Sequence, residues 1–134
     1  MHLGIVIVKE NKIMGTFMEK VNVELKVIYE DNHIIVVEKP VNIPSQGDNT
    51  GDIDMLTIIK EYLKEKYNKP GNVYLGLVHR LDRPVGGVMA FAKTSKAAAR
   101  LSEQVRNKDF KKKYLVIANG KFEEKKRSAG RLFT

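Results

Sequence analysis

Two β-branched apolar runs, Leu25-Lys26-Val27-Ile28-Tyr29 and Ile34-Ile35-Val36-Val37, are separated by Glu30-Asp31-Asn32-His33 and constrain the fold more than any other feature of the chain. Branching at Cβ favours extended backbone, and the polar tetrad supplies turn residues, so the segment predicts a β-hairpin. Lys39-Pro40 then ends the second strand, because proline has no N–H to give to a ladder. Residues Val41 to Asp54 include Pro44, Gly47, Asn49 and Gly51 and read as a loop. Asp54 is placed to cap a helix that turns Met55, Ile58, Ile59, Tyr62 and Leu63 to one face and Lys60, Glu61, Lys64 and Glu65 to water. That helix stops near Asn68-Lys69-Pro70-Gly71. A short apolar stretch, Val73 to Val78, leads into the charged segment His79-Arg80-Leu81-Asp82-Arg83. Pro84 and Gly86-Gly87 interrupt regular structure before Val88 to Ala92 resumes as a strand, so the charged segment is expected in a loop between strands. Thr94 predicts the cap of a second helix with Ala97, Ala98, Leu101 and Val105 inward, followed by basic residues and a strand over Tyr114 to Ala118.

Alternating strands and helices predict a mixed α/β or α+β domain, and the reading taken is α+β, a mixed, largely antiparallel sheet flanked by helices. The chain has 134 residues, the size of one domain. Residues 1–20 show no clear period and read as an N-terminal extension to a domain over 21–134. Hydrophobic residues make up 43% and charged residues 30%, too apolar for disorder. The absence of cysteine excludes disulfides, thiolate chemistry and Cys-based zinc sites. His2, His33 and His79 are too scattered to suggest a metal site. The apolar run Leu3 to Val8 is too short for a signal peptide or a membrane span, so a cytoplasmic protein is expected.

Charge is unevenly placed. Residues 1–67 carry 8 Lys/Arg against 11 Asp/Glu, whereas residues 68–134 carry 16 against 5, a net +11 in the second half. Such a half suits a polyanionic partner such as nucleic acid, whose phosphates supply most of the sequence-independent affinity; a merely soluble basic surface has the same composition.

The chemistry-bearing segment is Leu77-Val78-His79-Arg80-Leu81-Asp82-Arg83-Pro84-Val85-Gly86-Gly87, in which one carboxylate sits between two arginines, after a strand and before glycines. Neighbouring cations favour an ionised carboxylate. On spacing alone, an Asp between arginines in a turn is more often a surface ion pair than a site. A protein-kinase reading fails, since those enzymes use His-Arg-Asp-Leu followed by an Asn, and here Leu and Asp are transposed with no such Asn.

The run His79-Arg80-Leu81-Asp82-Arg83-Pro84-Val85-Gly86-Gly87 through Ala92-Lys93 closely resembles the signature of the RluA-type pseudouridine synthases. Tyr29-Glu30-Asp31 with Ile34 to Pro40 is similar to that family's opening hairpin and Lys-Pro, and Lys113-Tyr114-Leu115-Val116 through Gly120 to its Lys-x-Tyr-Leu strand. The three segments occur in the family's order and cover residues 25–122. The resemblance implies a pseudouridine synthase-like fold and an isomerase that turns uridine into pseudouridine in ribosomal or transfer RNA, with no cofactor and no metal. It makes Asp82 the essential carboxylate, by covalent addition or by sugar-proton abstraction, and sets Tyr114 against the target uracil. Taken alone, Tyr114 also reads as a core tyrosine on a strand. The resemblance also puts Arg80 in the stack vacated by the extruded nucleotide. Arg83, Lys93 and the run Lys111-Lys112-Lys113 are candidates for the RNA backbone, although each lysine of the run also reads as a solvated edge. His79 is expected to be structural.

The chain departs from the family pattern in three places. Gly86 stands where a Ser is usual, and Asn42 where a Gly follows Lys-Pro, a residue that also tolerates left-handed dihedrals. The family's later Gly-Arg-x-His-Gln-Ile-Arg segment, which supplies a basic partner to the aspartate, has no counterpart before Thr134. The expectation is therefore the amino-terminal part of a catalytic domain, with an incomplete sheet and little activity by itself. The alternative is a non-catalytic basic RNA-binding fragment.

Overall fold

The computed structural model describes residues 23–121 together with the short strand His2–Leu3. Apart from that strand, the expected extension over residues 1–20 lies outside the described residues. In chain order the elements are β1 (His2–Leu3), β2 (Lys26–Glu30), β3 (Ile34–Lys39), α1 (Met55–Lys66), β4 (Gly76–Leu77), β5 (Gly87–Ala92), α2 (Ser95–Arg106) and β6 (Lys111–Lys112).

The expected hairpin forms. β2 pairs antiparallel with β3, and the Asp31 carboxylate closes the turn by accepting from the backbone N–H of His33 and Ile34 at 2.7 and 2.8 Å. A β-bulge between Val27 and Tyr29 shifts the register of this edge strand. β5 pairs along the whole of β3, from Ile34 opposite Ala92 to Lys39 opposite Gly87, and β4 adds to the far side of β5. The four-stranded antiparallel sheet thus runs β2-β3-β5-β4, and β1 and β6 form a separate parallel pair.

Strand alternation sorts the two central strands between two layers. Ile35, Val37, Met89 and Phe91 pack with Met55, Ile58, Ile59 and Leu63 of α1. Val36, Ala90 and Ala92 point the other way, against Ala97 and Leu101 of α2 and Phe110. Small residues keep the second interface close: a Cβ on Gly76 would meet the Ala98 Cβ and the Tyr74 hydroxyl at 3.0 Å. Both helices start at the expected caps, with Asp54 and Thr94 side chains accepting from the N–H of Thr57 and Ala97. Among the described residues, no helix is long and apolar enough to cross a membrane, and no cluster of His, Asp or Glu could hold a metal ion.

The strand expected over Tyr114–Ala118 does not form. Among the described residues regular structure ends at Lys112, and Leu115, Val116 and Ile117 are 71%, 76% and 96% exposed. High β-propensity is not a strand until a neighbour accepts from its N–H groups and donates to its C=O groups, and no described strand lies alongside this segment.

Candidate active site

The charged segment lies in the expected loop, between β4 and β5. Its shape follows from what holds the residues on either side of Asp82. Leu81 is buried in the α1-side core, and the buried Ser45 hydroxyl satisfies both of its backbone groups, donating to the Leu81 carbonyl at 2.6 Å and accepting from the Leu81 N–H at 3.2 Å. The Arg83 carbonyl accepts from the Asn42 N–H at 2.7 Å and from Lys39 Nζ at 3.1 Å. Asn42 makes that contact from a left-handed backbone, φ +66°, a conformation that asparagine tolerates. Between these anchors the Asp82 carbonyl closes a turn with the Val85 N–H at 2.9 Å, and the residue itself is exposed. A fixed backbone therefore presents one carboxylate to solvent.

Lys39 lies beneath this loop at 1% exposure. Its Nζ also donates to the Pro40 carbonyl at 2.9 Å. Burial, with the nearby Arg83 charge adding to it, lowers its pKa to about 8, against the opposing attraction of Asp82. Gly86 packs onto the same strand end, since a Cβ there would meet Val41 Cγ1 at 3.2 Å and the Lys39 carbonyl at 3.3 Å. At the root of the loop His79 is buried, accepts from the Ala90 N–H through Nε2 at 3.0 Å, and lies 5.2 Å from the Phe110 ring. Burial, then Lys112, pushes its pKa down to about 4, so it is a neutral structural imidazole at pH 7.

The structure brings Arg80, Asp82 and Arg83 together on the loop, with Arg80 exposed. The Arg83 guanidinium is engaged by the loop after β3, Nη1 with Asp48 at 3.4 Å and Thr50 at 3.2 Å and Nη2 with Asp52. Lys111, Lys112 and Lys113 are exposed, and Lys112 is near enough to His79 to influence its charge. Lys93 is not brought to the loop. It follows the opposite end of β5, about 20 Å of strand away, where Nζ donates to Glu30 Oε1 at 2.8 Å and to the Asp31 carbonyl at 2.7 Å. Tyr114 is 54% exposed and outside any strand.

Sequence reasoning missed Lys39 and Ser45. For Lys39 a signal existed: positions 35, 37 and 39 share one strand face, so a lysine two residues beyond Val37 in β3 points inward. Ser45 offers no such signal, because its partner Leu81 is 36 residues away.

The clamped turn offers one carboxylate between two arginines, within the segment that carries the resemblance to the RluA-type synthases. Residues 33–132 match the family model described as RNA pseudouridylate synthase, and the chain belongs to that family. Among curated relatives, Ribosomal large subunit pseudouridine synthase C of Buchnera aphidicola subsp. Baizongia pistaciae is 38% identical over 97 residues, covering 70% of this chain and 28% of that protein. The Escherichia coli K12 protein of the same description is 32% identical over 116 residues, covering 86% of this chain and 34% of that protein. The chain thus spans about a third of the length of these relatives. The fold is also that of part of human RNA Pseudouridylate Synthase Domain Containing 4, with a TM-score of 0.54 and 24% identity over 63% of this chain and 30% of that one.

Proposed function

We propose that this chain carries the aspartate-bearing part of an enzyme that isomerises uridine to pseudouridine in structured RNA, with Asp82 as its essential residue. The observation that carries this reading is the loop itself. Leu81 and Arg83 are fixed by Ser45, Asn42 and Lys39, and Asp82 between them is exposed. Such fixed geometry is what a group acting on a buried bond of an extruded nucleotide requires. In the reaction the bond from ribose C1′ to uracil N1 breaks, the base turns, C5 bonds to C1′, the proton at C5 leaves, and N1, which kept the electron pair of the broken bond, takes up a proton. No electrons are gained or lost, so the step needs no redox cofactor. Asp82 acts at the ribose or the base, and either role needs it ionised.

Arg80 is assigned to the vacated stack and Lys111, Lys112 and Lys113 to the RNA backbone, where exposed cations neutralise phosphates without reading sequence. Tyr114 is assigned to the uracil. Lys93, paired with Glu30 at the far end of β5, is given a structural role instead. The relatives' descriptions name the ribosomal large subunit, which makes its RNA the favoured substrate over transfer RNA, and the work is placed in the cytoplasm. The test is tritium release from RNA labelled at uridine C5, using the enzyme at its full length. Asp82→Asn should lower turnover roughly 1,000-fold or more while RNA binding persists. Turnover within tenfold of the unaltered enzyme would remove Asp82 from the mechanism.

A further inference from the structure

Arg83 is held in two different ways. Its backbone is fixed from inside the protein, by the Asn42 N–H and the buried Lys39. Among the described residues its guanidinium is held only from outside, by the 48–52 loop, with side chains of Arg83, Asp48 and Asp52 exposed by 39%, 39% and 53%. Ion pairs this exposed are screened by water and salt, and they exchange partners readily. The loop nevertheless points both carboxylates the same way. The Thr50 N–H donates to Asp48 at 2.9 Å, the Thr50 hydroxyl bonds the same carboxylate, and the Asp52 N–H donates to Thr50 Oγ1 at 3.2 Å. Gly51, with φ +73° and open space where a Cβ would stand, makes the reversal that returns Asp52 to Arg83. Two anionic groups bonded to the two ends of one guanidinium have the geometry by which arginine takes a phosphate.

We infer that Asp48 and Asp52 hold the Arg83 guanidinium in place of an RNA phosphate, and that RNA binding exchanges these carboxylates for a backbone phosphate beside Asp82. This rests on the reading of RNA as the ligand. Because the Arg83 backbone is anchored independently, its side chain can change partners without moving Asp82. Asp48 and Asp52 then compete with any anion for Arg83, and an RNA strand already bound by the exposed lysines brings its phosphate to the guanidinium at a high local concentration.

The experiment is a double-mutant cycle on binding of a labelled uridine-containing stem-loop RNA, followed over a salt series. Asp48→Asn with Asp52→Asn should tighten binding by roughly threefold to tenfold, and Arg83→Gln should weaken it and flatten the salt slope by about one. With Arg83→Gln already present, the two Asn substitutions should no longer tighten binding. Arg83→Lys, which keeps the charge, should restore most of the slope, and this separates charge from folding. Glu61→Gln with Glu65→Gln on α1 controls for net charge. Tightening that persists without Arg83, or that the α1 pair reproduces, overturns the exchange. Failure of the unaltered protein to bind the RNA at all would overturn the functional reading as well.

Discussion

Lys39 shows how a single buried charge can organise an exposed one. A neutral amine carries two N–H groups, and Lys39 has two carbonyl acceptors, those of Pro40 and Arg83. The contact that supports the Asp82 loop therefore survives loss of the proton. Its pKa is lowered to about 8 from an ordinary value of 10.5, first by burial and then by Arg83. Between these two values the unfolded chain binds more protons than the folded one, so stability must rise with pH across that window. Lys66 is shifted upward chiefly by its hydrogen bond to Glu30; burial pushes Lys93 down, but Glu30 and Tyr67 together outweigh it and raise it, and the contribution of both lysines is lost only above the ordinary lysine value. Urea-unfolding midpoints should accordingly climb from about pH 7.5 to about pH 9.5, and Lys39→Met should abolish the climb. An equal climb in both proteins would assign it to another group. The exposed Asp82 was legible as a candidate because flanking charges and glycines mark a loop. Its support was not, because Ser45 and Lys39 act through the folded chain at separations of 36 and 44 residues.

Three elements meet at Glu30, the last residue of β2. Its carboxylate accepts from Lys66 at 2.7 Å and Tyr62 at 3.2 Å on α1, from Tyr67 just beyond it at 2.5 Å, and from Lys93 after β5 at 2.8 Å. Burial alone would raise the Glu30 pKa, but these donors outweigh it and hold it at about 2. The stabilisation is therefore complete above about 4.5 and fades as pH falls toward 2. Glu30→Gln leaves the half-buried Lys93 without its counter-charge and should cost about 2 kcal/mol at pH 7. Denaturant titrations at neutral and acid pH check both parts: the variant should be weaker at pH 7 and should lose less on acidification. A change below about 0.5 kcal/mol would reduce the cluster to a surface pairing. Both helices were legible because capping residue, period and stop signal agree within each segment, as at Asp54 with Met55, Ile58, Ile59 and Leu63. The Tyr114–Ala118 segment misled because a strand, unlike a helix, takes its hydrogen bonds from elsewhere in the chain.

At the scale of the whole molecule, two tendencies oppose each other along the second half. Residues 68–134 carry a net +11, which keeps copies apart and draws polyanions. The same half exposes Tyr114, Leu115, Val116 and Ile117 as a continuous apolar run of high β-propensity, unpaired among the described residues. The described sheet is better guarded, with a bulge on the β2 edge and only two residues of β4 on the other. Self-association of this 134-residue chain should therefore begin at residues 114–117 and be opposed by charge. Coulomb repulsion is screened over about 8 Å at physiological salt and over about 3 Å at 1 M, while apolar association is not weakened by salt. Sedimentation velocity should show the apparent mass rising from about 50 mM to about 500 mM salt, opposite to RNA affinity, which falls over that range. Leu115→Lys with Ile117→Lys should hold the chain monomeric throughout. A mass that ignores both salt and the two substitutions would mean that the run is covered in solution, and the source of any association would then lie on another face.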